Sequence, residues 1–356
     1  MQAAQGRSAG LGIALVSALA FGGSGVAAKP LIEAGLDPLH VVWLRAAGAA
    51  LFMLPLAWRH RDLVRRKPAL LLGFGLLAVA GVQAFYFASI SRIPVGVALL
   101  VEYLGPALVL GWIRFVQRRP VTRAAAAGVV LAVGGLACVV EVWAGLSFDI
   151  LGLLLALGAA CCQACYFILS DHGGDSEDRA DPLGVIAYGL LIGAAVLTVI
   201  ARPWGMDFGL LATSVEMGGT EVAAWLLLAW VVLIATVLAY ITGVVSVRRL
   251  SPQVAGVVAC LEAVIATVLA WVLLREHLSL PQIAGGALVL AGAFIAQSRP
   301  PAAAKPAAVP VASGGPVIAV LPPAGPAAPG GDGPTAAPAG STTAPEAELS
   351  ADRTAT

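Results

Sequence analysis

Between residues 11 and 298 the sequence alternates long apolar runs with short polar connections. A helix of about 20 residues, rising about 1.5 Å per residue, crosses the roughly 30 Å hydrocarbon core of a bilayer. Of the 356 residues, 59% are hydrophobic and 12% are charged, a balance that a soluble globule does not tolerate at its surface. The apolar runs therefore predict an all-α membrane protein that crosses the bilayer many times.

Runs of sufficient length, bounded by charges, prolines and turn residues, predict ten transmembrane helices. The first five spans are residues 11 to 28, 38 to 58, 69 to 89, 94 to 113 and 122 to 141. The second five are residues 150 to 170, 183 to 201, 223 to 246, 253 to 274 and 281 to 298. Residues 299 to 356 are rich in Ala, Pro and Gly, which predicts a disordered tail without a role in transport.

The positive residues between the spans predict the orientation. With the amino terminus inside, the inner connections hold Arg59, Arg61, Arg65, Arg66, Lys67, Arg118, Arg119, Arg123, Arg179, Arg248 and Arg249. The outer connections hold Lys29, Arg92, Arg202 and Arg275. Lys and Arg accumulate on the cytoplasmic side of membrane proteins. We therefore expect the protein to lie in the inner membrane with both termini in the cytoplasm. The acidic connection at residues 171 to 182 weighs little in this rule and is interpreted as a solvated connector.

The two halves of the chain resemble each other. Residues 92 to 136 align without a gap to residues 249 to 293, and Asp37-Pro38 is echoed by Asp181-Pro182. Five spans in each half, an odd number, would make the second half enter the membrane with the opposite orientation. The sequence thus predicts two inverted five-helix repeats, residues 11–141 and 150–298, an arrangement typical of secondary transporters.

Three charged residues lie well away from the ends of the predicted spans. Glu102 and Glu262 lie near the middle of spans 4 and 9, where a carboxylate is costly unless it is protonated, paired or facing a polar cavity. Each glutamate either belongs to a substrate or proton site or is hydrogen-bonded between helices for packing. Arg45 in span 2 either pairs with a glutamate, receives a substrate carboxylate or extends to the outer interface.

Other polar groups within the spans extend this candidate site. Hydrogen bonds to a small polar solute are predicted from Ser24, Gln83, Tyr86, Gln163, Tyr166 and Tyr240, although each alone is more typical of a helix–helix contact. Pro106 lacks an N–H and is predicted to bend span 4 just after Glu102. The five cysteines lie in apolar runs and predict neither a disulfide framework nor a metal site.

Four segments resemble the EamA family of the drug/metabolite transporter superfamily. They are RIPVGVALLVEYLGPALVLG from Arg92, RRPV at residues 118 to 121, RLSPQVAGVVACLEA from Arg249 and LLREHLS from Leu273. The resemblance covers residues 11 to 298 and is strongest to its threonine and homoserine exporter branch. Arg275-Glu276 replaces the family's Gly-Glu, and Ala263 stands where the family often has Pro. The resemblance implies ten spans and export of amino acids or other metabolites.

Together these observations predict a secondary transporter that exports small polar metabolites, such as threonine or homoserine, by alternating access coupled to protons. Its partners are then a small-molecule substrate, protons and the lipid bilayer. The net charge of +1 argues against a nucleic-acid partner, and we expect no cofactor. The alternatives are a membrane-embedded enzyme, for which the spans hold no nucleophile with a nearby base, and a channel or structural membrane protein.

Overall fold

The computed structural model describes residues 2–118, 120–141, 149–172, 180–249 and 252–297. The tail predicted at residues 299 to 356 lies outside the described residues. Eight helices in the described chain are long and apolar enough to cross a membrane: Gly10–Glu33, Pro38–Arg59, Pro68–Ile90, Val95–Val116, Arg123–Val140, Ile150–Ile168, Pro182–Ala201 and Ala224–Ser246. Two shorter apolar helices, Cys260–Leu274 and Leu280–Ile295, follow. The predicted helical membrane protein is therefore confirmed, whereas the count of ten spans stays a prediction.

The first half begins with α1 (Gln2–Glu33), α2 (Pro38–Arg59) and the short α3 (Leu63–Arg66). The third span combines α4 (Pro68–Gly73), a π-helical segment (Phe74–Gly81) and α5 (Val82–Ile90). The fourth combines α6 (Val95–Glu102), α7 (Gly105–Gly111) and a π-helical segment (Trp112–Val116), and α8 (Arg123–Val140) follows.

The second half begins with α9 (Ile150–His172) and α10 (Pro182–Ala201). Two 3-10 turns (Pro203–Gly205 and Phe208–Ala212) lead into an antiparallel hairpin of β1 (Ser214–Met217) and β2 (Thr220–Ala223), in which Val215 is opposite Val222. The eighth span combines α11 (Ala224–Ala229), a π-helical segment (Trp230–Leu238) and α12 (Ala239–Arg249). α13 (Pro252–Leu274) and α14 (Leu280–Gln297) complete the described chain.

Both Asp-Pro pairs begin a helix, at equivalent places in the two halves. The carboxylate of Asp37 accepts the N–H of Leu39 at 2.8 Å, and that of Asp181 accepts the N–H of Leu183 at 2.9 Å. The proline that follows occupies the first turn, where its missing N–H costs no hydrogen bond. The repeated Asp-Pro pair in the sequence therefore corresponds to a repeated helix start in the structure.

The helices pack across the two halves. α1 packs against α12 and α13, and α9 packs against α5, α6 and α7. α2 packs against α10, and α8 packs against α14. Glycines set the last of these contacts, because a Cβ at Gly135 would lie 2.7 Å from the carbonyl oxygen of Gly285, and one at Gly292 would lie 2.5 Å from that of Gly128. Only residues without a side chain allow two helix backbones to approach this closely.

Polar contacts join the helices at both ends of the bundle. At one end Arg92 Nη1 donates to Asp149 Oδ2 at 2.9 Å, and Asp149 Oδ1 accepts the N–H of Gly152 at 3.0 Å. The hydrogen bonds from Gly152 and from Arg92 hold the pKa of the Asp149 carboxyl below its usual value. Lys29 Nζ lies 2.5 Å from Glu276 Oε1. At the opposite end His60 Nε2 lies 4.0 Å from Asp181 Oδ2.

Candidate functional site

Arg45 is the buried cation of the described spans, with 2% of its surface exposed. Its Nε donates to Thr236 Oγ1 at 2.7 Å and its Nη1 donates to Gln83 Oε1 at 2.6 Å. Its Nη2 lies 3.4 Å from the carbonyl oxygen of Ala235, and its guanidinium carbon lies 5.5 Å from the centre of the Phe87 ring. These partners are uncharged, so they orient the guanidinium without neutralising it. The enclosure of the side chain by helices argues against the alternative in which Arg45 extends to the outer interface.

The π-helical segment Trp230–Leu238 shapes the surroundings of Arg45. Thr236 Oγ1 donates its proton to the carbonyl of Val231 at 2.7 Å, which leaves its lone pairs for the Nε–H of Arg45. π-helical turns shift the backbone register and recur at functional sites in proteins. Sequence reasoning missed Thr236, although it is the hydroxyl within the otherwise apolar run from Leu226 to Ala239.

Glu102 lies where span 4 is interrupted, with 1% of its surface exposed. α6 ends at Glu102 and α7 begins at Gly105, with Pro106 in its first turn. Pro106 has no N–H to donate to the carbonyl of Glu102 four residues earlier, so the helix cannot continue its hydrogen bonds there. Glu102 Oε1 accepts from Gln163 Nε2 of α9 at 3.4 Å. A methyl group at Gly105 would overlap Gln163 Oε1, so this contact requires glycine.

Four buried polar atoms among the described side chains have no hydrogen-bond partner in the protein: Ser24 Oγ, Gln83 Nε2, Glu102 Oε2 and Tyr240 Oη. Leaving one such atom unpaired costs about 1–3 kcal/mol. Arginine only donates, so Gln83 must present Oε1 to Arg45 and its Nε2 stays available. Buried groups that the fold leaves unpaired are expected where a solute or ordered water binds.

Glycines of α1 bring the other site helices close to its backbone. A Cβ at Gly22 would lie 3.1 Å from the carbonyl oxygen of Glu262, and one at Gly23 would lie 3.1 Å from Trp230 Nε1. A methyl group at Gly25 would overlap the hydroxyl of Tyr86. α1 therefore borders α5, the π-helical segment Trp230–Leu238 and α13 around the position of Ser24.

The other predicted site residues belong to the same buried region. Tyr240, Tyr86, Glu102 and Glu262 lie near enough to Arg45 for a charge on any of them to affect the guanidinium. Glu262 is buried on α13, 1% exposed. The ring of Tyr240 packs edge-on against Phe21, with centroids 5.1 Å apart.

Tyr166 packs edge-on against Phe74, with centroids 5.2 Å apart. Its ring is part of the contact between α9 and the π-helical segment of the third span. Tyr166 therefore packs in the wall of the buried region.

The arrangement holds one cation, two carboxyl groups and several spare hydrogen-bonding atoms away from water. It is suited to a small solute that carries both charges, because a cation and an anion can then be compensated at once. Charged groups held within the membrane are typical of substrate and ion pathways.

Comparison with known proteins agrees with this picture. Residues 8–141 and 150–297 each match the model of the EamA-like transporter family. The chain is 30% identical over 242 residues to the threonine/homoserine exporter RhtA of Escherichia coli K12, covering 68% of this chain and 73% of that protein. It is 29% identical over 238 residues to RhtA of Salmonella typhimurium LT2, covering 67% of this chain and 73% of that protein. The predicted family resemblance is confirmed.

Two more distant similarities extend over more of the chain. An uncharacterized transporter of Archaeoglobus fulgidus is 27% identical over 265 residues, covering 74% of this chain and 87% of that protein. A crystal structure of a protein 20% identical in sequence superposes with a TM-score of 0.54, covering 82% of this chain and 97% of that one. At this identity the second similarity concerns the fold alone.

Proposed function

Because the chain belongs to the EamA-like transporter family, we propose that it exports small polar metabolites, amino acids such as threonine or homoserine in particular, by alternating access coupled to protons. The family and the names of the relatives indicate a transporter rather than an enzyme. The observation that carries the proposal is the set of opposite charges and unpaired polar atoms enclosed around Arg45 and Glu102.

The proposed architecture is ten spans in two inverted repeats, residues 11–141 and 150–298. The helix contacts support it, because exchanging the halves converts each contact into another that is present. The contact of α1 with α13 corresponds to that of α9 with α6 and α7, and the contact of α1 with α12 corresponds to that of α9 with α5. α2 with α10 and α8 with α14 correspond to themselves. Such a pairing suits two halves that exchange conformations around a central site.

The proposed substrate is a zwitterionic amino acid. Its carboxylate is suited to the guanidinium of Arg45, whose forked donors match two carboxylate oxygens. Its ammonium is suited to Glu102 Oε2, the carboxylate oxygen without a partner in the protein. The spare Nε2 of Gln83 adds a donor beside Arg45. Glu262 on α13 supplies a second carboxyl group for the region, and Gln163, Tyr86, Tyr166 and Tyr240 complete its walls.

The proposed coupling to protons uses Glu102 or Glu262. A carboxyl group removed from water is more stable in its protonated form unless a cation or donors compensate the charge. Binding a proton on one side of the membrane and releasing it on the other therefore lets substrate and proton exchange at the same group. Both glutamates are buried as this mechanism requires.

The proposed location is the inner membrane of the cell, with both termini in the cytoplasm. The distribution of Lys and Arg supports the cytoplasmic side. The polar contacts agree with the division of the connections between two sides, because each contact joins connections assigned to the same side. Lys29 and Glu276 belong to the side assigned as outer, as do Arg92 and Asp149. His60 and Asp181 belong to the side assigned as inner.

The test is transport of labelled threonine, homoserine and a panel of other metabolites by purified protein in proteoliposomes with an imposed pH gradient. We expect gradient-driven transport by the wild type and its loss in Glu102→Gln. Glu221→Gln in the exposed hairpin is the matched control and should transport normally. Transport that is indifferent both to the gradient and to Glu102→Gln would contradict proton coupling, and transport of no amino acid would contradict the substrate class.

A further inference from the structure

We propose that Ser24 and Tyr240 form a subsite that recognises a hydroxyl group on the side chain of the exported solute. The inference rests on the proposed function and assigns the residues that select hydroxylated amino acids over others. Ser24 is 0% exposed and Tyr240 is 1% exposed, and neither hydroxyl has a hydrogen-bond partner in the protein.

Other buried hydroxyls in the same bundle differ in this respect. Ser17, Ser89 and Thr236 each donate to a backbone carbonyl, at 2.9 Å to Ala239, 2.8 Å to Gly152 and 2.7 Å to Val231. Satisfying buried hydroxyls within the fold is therefore the rule for these helices. Ser24 and Tyr240 are both exceptions, because neither hydroxyl is satisfied within the fold.

The two hydroxyls belong to neighbouring helices beside the charged groups. Ser24 lies one turn after Phe21 on α1, and the ring of Phe21 contacts that of Tyr240. Tyr240 lies near Arg45, Glu262 and Glu102. A solute held through its charged groups by Arg45 and Glu102 would direct its side chain toward the remaining polar atoms.

Specificity follows from the cost of leaving these atoms unpaired. A site built to hydrogen-bond a substrate hydroxyl rejects an analogue without it, because the analogue buries the site's polar groups without partners. Threonine and valine have nearly the same shape and differ by this hydroxyl. The subsite therefore predicts a preference for threonine over valine that comes from hydrogen bonding and not from size.

The experiment compares initial rates of threonine and valine transport in proteoliposomes. We expect the wild type to prefer threonine by about tenfold or more, and Ser24→Ala and Tyr240→Phe each to bring the ratio closer to one. Ser17→Ala on the same helix is the control, because its hydroxyl is already bonded to Ala239, and it should keep the wild-type ratio.

The outcomes distinguish a failure of this subsite from a failure of the proposed function. An equal rate for threonine and valine in the wild type, or a ratio unchanged in both subsite variants, overturns the subsite and leaves amino-acid transport standing. Transport of neither amino acid by the wild type overturns the subsite and the proposed substrate class together.

A different observation carries a second inference. We infer that Lys29, Glu276 and the beginning of α6 form a gate on the outer side of the site. Lys29 Nζ lies 2.5 Å from Glu276 Oε1, and the side chains are 14% and 13% exposed. Glu276 Oε2 accepts the N–H of Val95 at 3.0 Å. Lys29 Nζ also lies 3.4 Å from the carbonyl oxygen of Ile93.

Glu276 supplies the helix cap that α6 lacks in its own sequence. The residue preceding α6 is Pro94, which has no side chain able to cap the helix. The carboxylate of Glu276, from the connection after α13, satisfies the first N–H and lies at the positive end of the helix dipole. The pair therefore connects α1 and α6 of the first half to the second half.

α6 also provides the connection from this gate to the site. It begins at Val95 and ends at Glu102, so eight residues of rigid helix, about 12 Å, separate the two ends. α6 also lies close to α13, because a Cβ at Gly96 would be 2.9 Å from Thr267 Oγ1. A displacement of Glu102 on solute or proton binding would move Val95 relative to Glu276 and release the gate.

The test measures access from the outside to Ala28→Cys, a buried position next to Lys29, in a protein whose five native cysteines are replaced by alanine. A membrane-impermeant thiol reagent should label this cysteine at least about tenfold faster in Lys29→Gln and in Glu276→Gln, since each loses a charged hydrogen bond. Arg92→Gln is the control, because it breaks the more exposed pair with Asp149 at the same end. Unchanged labelling in both gate variants, or an equal increase in the control, overturns the gate.

Discussion

Replacing Gly135 of α8 by alanine tests the close contact between α8 and α14. The new Cβ would lie 2.7 Å from both the carbonyl oxygen of Gly285 and the N of Val289, whereas ordinary van der Waals contact begins at 3.4 Å. Those neighbours are backbone atoms and cannot rotate away, so α8 and α14 must separate. Overpacking of this kind costs about 1–3 kcal/mol.

The neighbouring Gly134 supplies the matched control, because a Cβ there meets nothing within 4 Å. Alanine in place of glycine stabilises a helix by about 0.5–1 kcal/mol, and this gain is common to both substitutions. The difference between the variants therefore isolates the packing cost, and Gly135→Ala should be less stable than Gly134→Ala by about 1–3 kcal/mol. The measurement is the free energy of unfolding of each purified variant in mixed micelles on titration with denaturing detergent. Equal stabilities would refute the close approach of α8 and α14.

Gly105→Ala should weaken transport, because the new methyl group displaces Gln163 from its hydrogen bond to the Glu102 carboxylate. Gly111→Ala at the other end of α7 is the control and should transport as the wild type does, because a Cβ there meets nothing within 4 Å. Initial rates of threonine transport in proteoliposomes measure both, and equal rates would contradict the role given to Gln163. Arg45→Lys removes the planar fork that reaches Thr236, so the KM for an amino acid should rise about tenfold or more, for a loss of at least 1.4 kcal/mol of binding free energy. A KM unchanged by the substitution would remove Arg45 from the substrate site.

Local patterns were sufficient for the helical membrane class and for the family. A helix in lipid must be apolar over its length, and that property belongs to each segment by itself. The predicted first span ends at residue 28, but α1 continues to Glu33, because Lys29 and Pro30 are accommodated within the helix. The charge of Lys29 is compensated by Glu276, a residue that no local pattern connects to it.

The chemistry of the site was predicted only as a set of residue types. Arg45, Glu102 and Glu262 were identifiable because ionisable groups within apolar runs require compensation. Their assignment to substrate and proton remains a prediction. Thr236 was missed because a single hydroxyl in an apolar run usually bonds to its own helix, as it also does here with Val231.

The sequence by itself determined that the chain is a helical membrane protein, to which family it belongs and which charged residues its apolar segments carry. Only the tertiary structure decided how those charges are compensated. Arg45 bonds to partners 38 and 191 residues away, and Lys29 to one 247 residues away. Hydropathy acts on each segment separately, whereas a hydrogen bond depends on which helices pack together and at what depth. Partners so far apart in the chain therefore appear only when the helices are assembled.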